Sequence, residues 1–246
     1  MVFGMLFKEN KPLPLSLEVI FKSGLPSSIS MSASLEYLVK EPESKSTNHP
    51  AILLLHGYGS DENDLFSFKR ELPTHAFIFS LKAPLQLPDF GNAWYAIHFG
   101  EDQTKWSDDQ QAIEAVELIK KTIETLIRDY PINPSTISLI GFSQGTIMSY
   151  ALMSRYPHLI KNIIGLSGYI NEGICEFSDD KSNYQHLEVF SSHGSEDLII
   201  PVDWARKITS ILEREQILFT YKEYPMGHGI CPQNFFDFRE WLNARI

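Results

Sequence analysis

The stretch Ser138-Leu-Ile-Gly-Phe-Ser-Gln-Gly145 is the part of the sequence that decides the fold. An apolar strand pattern runs directly into Gly-x-Ser-x-Gly, and a helical pattern follows from Thr146. That order places Ser143 at the tip of a sharp strand-to-helix turn, in a strained backbone conformation. Gly141 and Gly145 have no Cβ atoms to clash where strand and helix nearly touch. We therefore interpret Ser143 as a catalytic nucleophile, with an ordinary turn serine as the alternative.

Length and composition fit one large α/β domain. The chain has 246 residues, 43% hydrophobic and 21% charged residues, and a net charge of −10. The hydrophobic and charged fractions are typical of a soluble globular protein. The excess of acidic residues disfavours a nucleic-acid partner, because binding nucleic acid needs a basic surface. No apolar window reaches the length of about 18 residues that a spanning helix needs, so we predict no integral membrane contact.

The N-terminal segment and the cysteines predict a cytoplasmic protein. Charged residues interrupt the short apolar run of residues 1–15, which therefore lacks the apolar core of a signal peptide. Cys175 and Cys231 form neither a metal-ligand pattern nor a disulfide framework, so we expect reduced thiols. We predict a single domain over residues 1–246, in which residues 1–33 are a candidate additional hairpin and a candidate surface for a homodimer.

Apolar runs recur along the chain, as in strands buried on both faces of a sheet. The predicted strands are residues 15–21, 35–39, 51–55, 76–81, 136–140, 162–167, 187–191 and 217–224. The clearest helix begins at the capping box Ser107-Asp-Asp-Gln110 and continues with an apolar stripe at helical spacing. Further predicted helices are residues 146–155, 204–215 and 234–244. Alternating strands and helices predict an α/β fold with a mainly parallel central sheet and helices on both faces.

A serine nucleophile needs a general base and an acid that orients this base. With the nucleophile on such a turn, the acid and then the histidine follow it along the chain. Of the 8 histidines, His228 alone follows the candidate acids, between the last predicted strand and the last predicted helix. Asp197 and its neighbour Glu196 are the candidate acids. They lie just beyond the carboxyl end of a predicted strand, the edge at which parallel sheets bind their ligands. A solvated turn histidine and a surface acid are the alternatives.

The oxyanion of the reaction needs two backbone N–H donors. One is the amide of Gln144, which follows the nucleophile at the positive end of its helix. The other is expected from the glycine-rich loop of residues 56–59, with the amide of Tyr58 as the donor. We interpret His56 as a structural hydrogen-bonding residue. The histidines form no ligand cluster in sequence, so we predict no metal site, and the reaction needs no cofactor.

Four segments together resemble the phospholipase/carboxylesterase family of the α/β-hydrolases, which includes acyl-protein thioesterases and small bacterial carboxylesterases. They are residues 53–66, 141–145, 193–197 and 227–229, in that order. The resemblance covers roughly residues 35–246 and implies the α/β-hydrolase fold. It also favours Asp197 over Glu196, so that Ser143, Asp197 and His228 form the implied catalytic triad.

Residues 82–95 look like the loop of this family that ends in an aromatic pair near the active site. Within it, Gly91-Asn-Ala-Trp-Tyr95 is similar to the bacterial esterase branch. The resemblance implies that Trp94 or Tyr95 walls the acyl pocket. Three further pocket candidates flank the triad positions: Leu198, Ile199 and Ile230. Core packing is the alternative for each of these three.

We predict a serine hydrolase that cleaves carboxylic esters of small or acyl-chain substrates through an acyl-enzyme intermediate. An acyl thioesterase or a lysophospholipase would use the same residues, so both stay open as alternatives. A dienelactone hydrolase is disfavoured because that relative commonly has cysteine where this chain has Ser143. The alternative from another class is a non-catalytic binding protein with the hydrolase fold, which the presence of all three triad candidates disfavours.

Overall fold

A computed structural model describes residues 34–88, 90–99 and 105–246. These residues form strands that we number in chain order. They are β1 (Tyr37–Lys40), β2 (His49–Leu55), β3 (Phe77–Leu81), β4 (Leu85–Gln86), β5 (Asn92–Ala93), β6 (Ile97–Phe99), β7 (Lys105–Ser107), β8 (Ile132–Phe142), β9 (Asn162–Leu166), β10 (Glu188–Gly194) and β11 (Leu218–Tyr224). The main sheet has the order β1-β3-β2-β8-β9-β10-β11, while β4 pairs with β5 and β6 with β7. Within the main sheet β1 is antiparallel to β3, and every other neighbouring pair is parallel.

Helices cover both faces of this sheet. They are α1 (Asp109–Asp129), α2 (Gln144–Arg155), α3 (Val202–Arg214) and α4 (Pro232–Asn243), with 3-10 turns at Leu65–Arg70, Pro157–Leu159 and Lys181–Tyr184. Along β2, Leu53 and Leu55 pack into the core cluster that contains α1, α2 and α3, whereas Ile52 and Leu54 pack toward α4 and the first 3-10 turn. Because both faces of β2 are buried, its sequence is a continuous apolar run rather than an alternating one. The predicted α/β architecture is confirmed.

The local differences from the sequence predictions have physical reasons. Ser107 was predicted as the N-cap of α1, but Asp108 caps the helix, accepting the backbone N–H of Gln111 on Oδ1 at 3.0 Å. Ser107 instead donates its hydroxyl to the Asp109 carboxylate at 2.7 Å. The short strands β4 to β7 were not predicted, because two or three residues carry no periodic signal. The predicted strand at 15–21 and the candidate hairpin at 1–33 lie outside the described residues.

The parallel strands bring distant loops to one edge of the sheet. Ser143 follows β8, Asp197 follows β10 and His228 follows β11, and these strands all end at the same edge. The glycine-rich loop after β2 reaches that edge as well, beside β8. Among the helices of the described residues, none combines the length and the apolar character needed to cross a bilayer.

Candidate active site

The predicted turn holds Ser143 in a backbone conformation that side-chain-bearing residues rarely adopt. Between β8 and α2, Ser143 has φ 52° and ψ −115°. A Cβ atom on Gly141 would lie 2.5 Å from the carbonyl oxygen of Gly145, and one on Gly145 would lie 2.0 Å from that of Leu55. Backbone atoms cannot approach a Cβ so closely, so both glycines are required for strand and helix to meet. The turn stores strain and leaves Ser143 9% exposed at its tip.

Two hydrogen bonds join three residues from three different loops. His228 Nε2 lies 2.9 Å from Ser143 Oγ, and His228 Nδ1 lies 2.7 Å from Asp197 Oδ2. An ionised carboxylate only accepts, so Asp197 fixes the imidazole proton on Nδ1. The lone pair on Nε2 then faces the serine hydroxyl and is placed to accept its proton. Glu196, the competing acid, is exposed to solvent, and the structure brings Asp197 to His228 instead.

The Asp197 carboxylate is buried and bound by its own loop. Its side chain is fully buried, and Oδ1 accepts the backbone N–H groups of Ile199 at 2.8 Å and Ile200 at 2.9 Å. Burial opposes ionisation, but hydrogen bonds from His193 and His228 outweigh it and hold the pKa of Asp197 well below its ordinary range. The carboxylate is therefore ionised at neutral pH and can stabilise positive charge on the imidazole.

Two residues to which the sequence analysis gave no role hold the same loops. His193 is fully buried, and its Nε2 lies 2.8 Å from the carbonyl oxygen of Ile200 and 3.2 Å from Asp197 Oδ2. Ser167 has φ 51° and donates its hydroxyl to the carbonyl oxygen of Gly229 at 3.1 Å. The sequence held a signal for His193, because it lies four residues before Asp197 in the segment 193–197 that carries part of the family resemblance. Nothing local in the sequence points to Ser167.

His56 packs at the start of the loop after β2. Its Nδ1 lies 2.8 Å from the carbonyl oxygen of Gly57, and its Nε2 lies 3.1 Å from the backbone nitrogen of Ala83. The first contact requires a donor on the ring and the second an acceptor, so the imidazole is neutral. Burial also lowers the pKa of His56. In the described ranges, no three His, Cys, Asp or Glu side chains are grouped to hold a metal ion.

The residues predicted for the acyl pocket lie in different environments. Trp94 and Tyr95 are 0% and 2% exposed, inside the larger core cluster. Leu198 and Ile199 are 92% and 46% exposed, in the loop after β10. Ile230 is partly buried against the core cluster on the α4 side of the sheet. Of these five residues, Leu198 and Ile199 offer the most apolar surface to an approaching molecule. The pocket roles of all five stay predictions.

The fold and the geometry of this edge define a class of protein. A mainly parallel sheet with helices on both faces, a nucleophile turn after a central strand, and acid and histidine on later loops are the marks of an α/β-hydrolase. The sequence profile of the phospholipase/carboxylesterase family matches residues 37–246. The chain belongs to this family, and the resemblance seen in the sequence is confirmed.

Individual relatives and solved structures agree with this assignment. Acyl-protein thioesterase 1 of Kluyveromyces lactis is 26% identical over 217 residues, which are 79% of this chain and 91% of that protein. A probable carboxylesterase of Arabidopsis thaliana, SOBER1-like, is 27% identical over 143 residues, 56% of this chain and 53% of that protein. The crystal structure of the Bacillus cereus carboxylesterase has a TM-score of 0.74 at 18% identity, covers 86% of this chain and 95% of that one, and shows the shared fold. The chain is a hydrolase of this esterase and thioesterase group.

Proposed function

We propose that this protein hydrolyses carboxylic esters of small or acyl-chain substrates through an acyl-enzyme formed on Ser143. The observation that carries the proposal is the chain of hydrogen bonds from Ser143 Oγ to His228 Nε2, and from His228 Nδ1 to Asp197. A serine hydroxyl is a weak nucleophile until a base removes its proton, and this geometry supplies the base and the group that orients it.

The proposed reaction has two halves with balanced proton transfers. Ser143 Oγ attacks the ester carbonyl carbon while His228 Nε2 takes the hydroxyl proton. The tetrahedral intermediate then breaks its bond to the alcohol oxygen, and His228 returns the proton to that oxygen. Water attacks the acyl-enzyme in the same way and releases the carboxylic acid and free Ser143. The ionised Asp197 stabilises the imidazolium in both halves.

The amides of Tyr58 and Gln144 are the proposed donors to the oxyanion. Gln144 begins α2, where backbone N–H groups have no partner inside the helix and the helix dipole favours negative charge. Among the backbone hydrogen bonds of the described residues, neither the Tyr58 nor the Gln144 N–H has an acceptor. Both amides are therefore available to a ligand oxygen, which supports their assignment.

An apolar acyl group is the proposed substrate feature. Leu198 and Ile199 leave apolar surface exposed immediately after Asp197. A thioester is the second candidate substrate, because the Kluyveromyces lactis relative is named an acyl-protein thioesterase. The same Ser143 and His228 would serve both leaving groups, so the acyl chain and the leaving group are matters for direct assay.

Hydrolysis of p-nitrophenyl esters from short to long acyl chains tests the proposal. We expect turnover by the wild type, covalent labelling by a fluorophosphonate, and loss of both in Ser143→Ala. Ser149→Ala is the matched control, because Ser149 is also a buried serine, in the middle of α2, and its hydroxyl donates to the carbonyl oxygen of Gly145 at 2.8 Å. Full activity in Ser143→Ala would reject the proposal. Absence of both turnover and labelling in the wild type would support a non-catalytic binding protein.

We also propose a cytoplasmic location and a single domain over residues 1–246. Cys175 and Cys231, the two cysteines of the chain, are both free thiols, which supports a reducing compartment. The family match over residues 37–246 supports one continuous catalytic domain. The homodimer stays a prediction.

A further inference from the structure

The Gln144 side chain is buried and makes two hydrogen bonds that no step of the proposed reaction uses. It is 2% exposed. Its Oε1 accepts the backbone N–H of Trp94 at 2.8 Å, and its Nε2 donates to the carbonyl oxygen of Tyr95 at 2.8 Å. The carboxamide therefore satisfies one donor and one acceptor of a segment about fifty residues earlier in the chain. We call residues 92–95 the bridging segment.

The other end of the bridging segment holds the loop after β2. The Gly59 N–H donates to the carbonyl oxygen of Asn92 at 2.9 Å, and the Asn92 N–H donates to that of Ser60 at 2.7 Å. In addition, Trp94 Nε1 donates to the carbonyl oxygen of His56 at 2.8 Å. Hydrogen bonds on both sides of Tyr58 thus fix this loop to the bridging segment. The bridging segment in turn is fixed to Gln144.

We propose that the Gln144 side chain is a positioning residue, which sets the place of the Tyr58 amide relative to its own amide. This inference rests on the proposed function, in which the two amides bind the oxyanion. One residue would then contribute a donor directly and position the second donor through the bridging segment. Hydrogen-bond donors stabilise the transition state fully only when they already point at the position of the oxyanion before the reaction begins. A small displacement of one amide is therefore expected to reduce turnover strongly.

A purely structural role for Gln144 makes a different prediction. Removing a buried carboxamide leaves its hydrogen-bond partners on the backbone unpaired and lowers stability, whatever its place. The chain offers a matched control in Gln111 on α1. Gln111 is 7% exposed, and its Oε1 accepts the backbone N–H of Ala96 at 2.9 Å. It thus binds the residue next to the bridging segment, and among the hydrogen bonds of the described residues its side chain has none to the loop after β2.

The deciding experiment compares Gln144→Met with Gln111→Met in the full chain. For Gln144→Met we expect kcat on a p-nitrophenyl ester to fall by about 100-fold with KM changed by less than about threefold, because the lost interaction acts in the transition state. Binding of a trifluoromethyl ketone, which forms a tetrahedral adduct on serine, should weaken in parallel with kcat. Gln111→Met should lose stability, measured by urea unfolding, yet keep its kcat within about twofold of the wild type.

If Gln144→Met does not fold, Gln144→Glu distinguishes the positioning role of the Gln144 side chain from a purely structural one. Its carboxylate still accepts from the Trp94 N–H but repels the carbonyl oxygen of Tyr95, and burial favours the protonated acid, which donates again. We expect the ratio of variant to wild-type kcat to rise as pH is lowered. A ratio that stays near one even at alkaline pH, where the introduced acid is ionised, overturns the inference, as does equal loss of kcat in Gln144→Met and Gln111→Met. In both cases Ser143-dependent turnover of the wild type leaves the proposed function standing, whereas a wild type without such turnover removes both.

Discussion

Replacing Ser143 by glycine should destabilise the protein less than replacing it by alanine. Both changes remove the hydroxyl and its 2.9 Å hydrogen bond to His228. They differ in the backbone, because φ 52° and ψ −115° are strained for alanine and readily adopted by glycine. Strain of this kind costs about 1–3 kcal/mol, and the glycine variant releases it.

A second pair of variants, Ser149→Gly and Ser149→Ala, supplies the reference difference in stability between glycine and alanine. Ser149 lies inside α2 and is fully buried. There the glycine variant should be less stable than the alanine variant by about 1 kcal/mol, the usual penalty in a helix interior. The lost Cβ and the entropy of the unfolded chain affect both pairs similarly. The difference between the pairs therefore isolates the strain at Ser143, about 1–3 kcal/mol.

Urea unfolding of the four variants measures this difference. Ser143→Gly should be at least as stable as Ser143→Ala and up to about 2 kcal/mol more stable. In thermal unfolding each kcal/mol corresponds to about 2–4 °C in Tm for a chain of this size. If Ser143→Gly falls below Ser143→Ala by as much as the Ser149 pair differs, the turn stores no strain and the reasoning is refuted.

Three further predictions follow from ionisable groups. Asp197→Asn should lower kcat by about 10⁴-fold, the effect of losing a triad aspartate. The pKa of Asp197 lies below its ordinary 3.8, so its ionisation stabilises the fold above that pH, and this contribution is lost on acidification. The unfolding free energy of Asp197→Asn, measured by urea titration at decreasing pH, should therefore fall less steeply than that of the wild type. Equal slopes would contradict the lowered pKa. Cys175 is partly buried, and this burial raises the pKa of its thiol to about 12. In a Cys231→Ser background, a thiol reagent at neutral pH should therefore label Cys175 slowly until urea unfolds the chain, and labelling as fast as that of free cysteine would contradict the raised pKa.

Local signals in the sequence predicted the parts of the fold that depend on local burial. The buried strands β2, β3, β8 and β9 each contain a continuous apolar run, so their centres were found and only their ends shifted. For α1 the cap moved by one residue, because Ser107 and Asp108 both carry capping side chains and the competing contact of Ser107 with Asp109 is a tertiary detail. Such choices among adjacent polar residues are not encoded in the spacing alone.

In the candidate active site, too, local motifs predicted some features and missed others. The order of the motifs along the chain predicted Ser143, Asp197 and His228 as site residues, and the structure places them within hydrogen-bonding distance. The bonds between Gln144 and the bridging segment cross about fifty residues of chain. No periodicity or local motif reports contacts of that range, so the role of the Gln144 side chain required the three-dimensional structure.

In the loop after β10, the four residues 197–200 combine backbone positions that hold the acid with a side chain that holds nothing in place. Asp197 is held by the amides of Ile199 and Ile200, which every residue except proline provides, whereas the side chain of Leu198, between Asp197 and Ile199, is 92% exposed. Changing the side chain at Leu198 therefore leaves the acid in place while altering the surface beside it. With the pocket role predicted for Leu198, this position would let substrate preference evolve separately from the reaction chemistry.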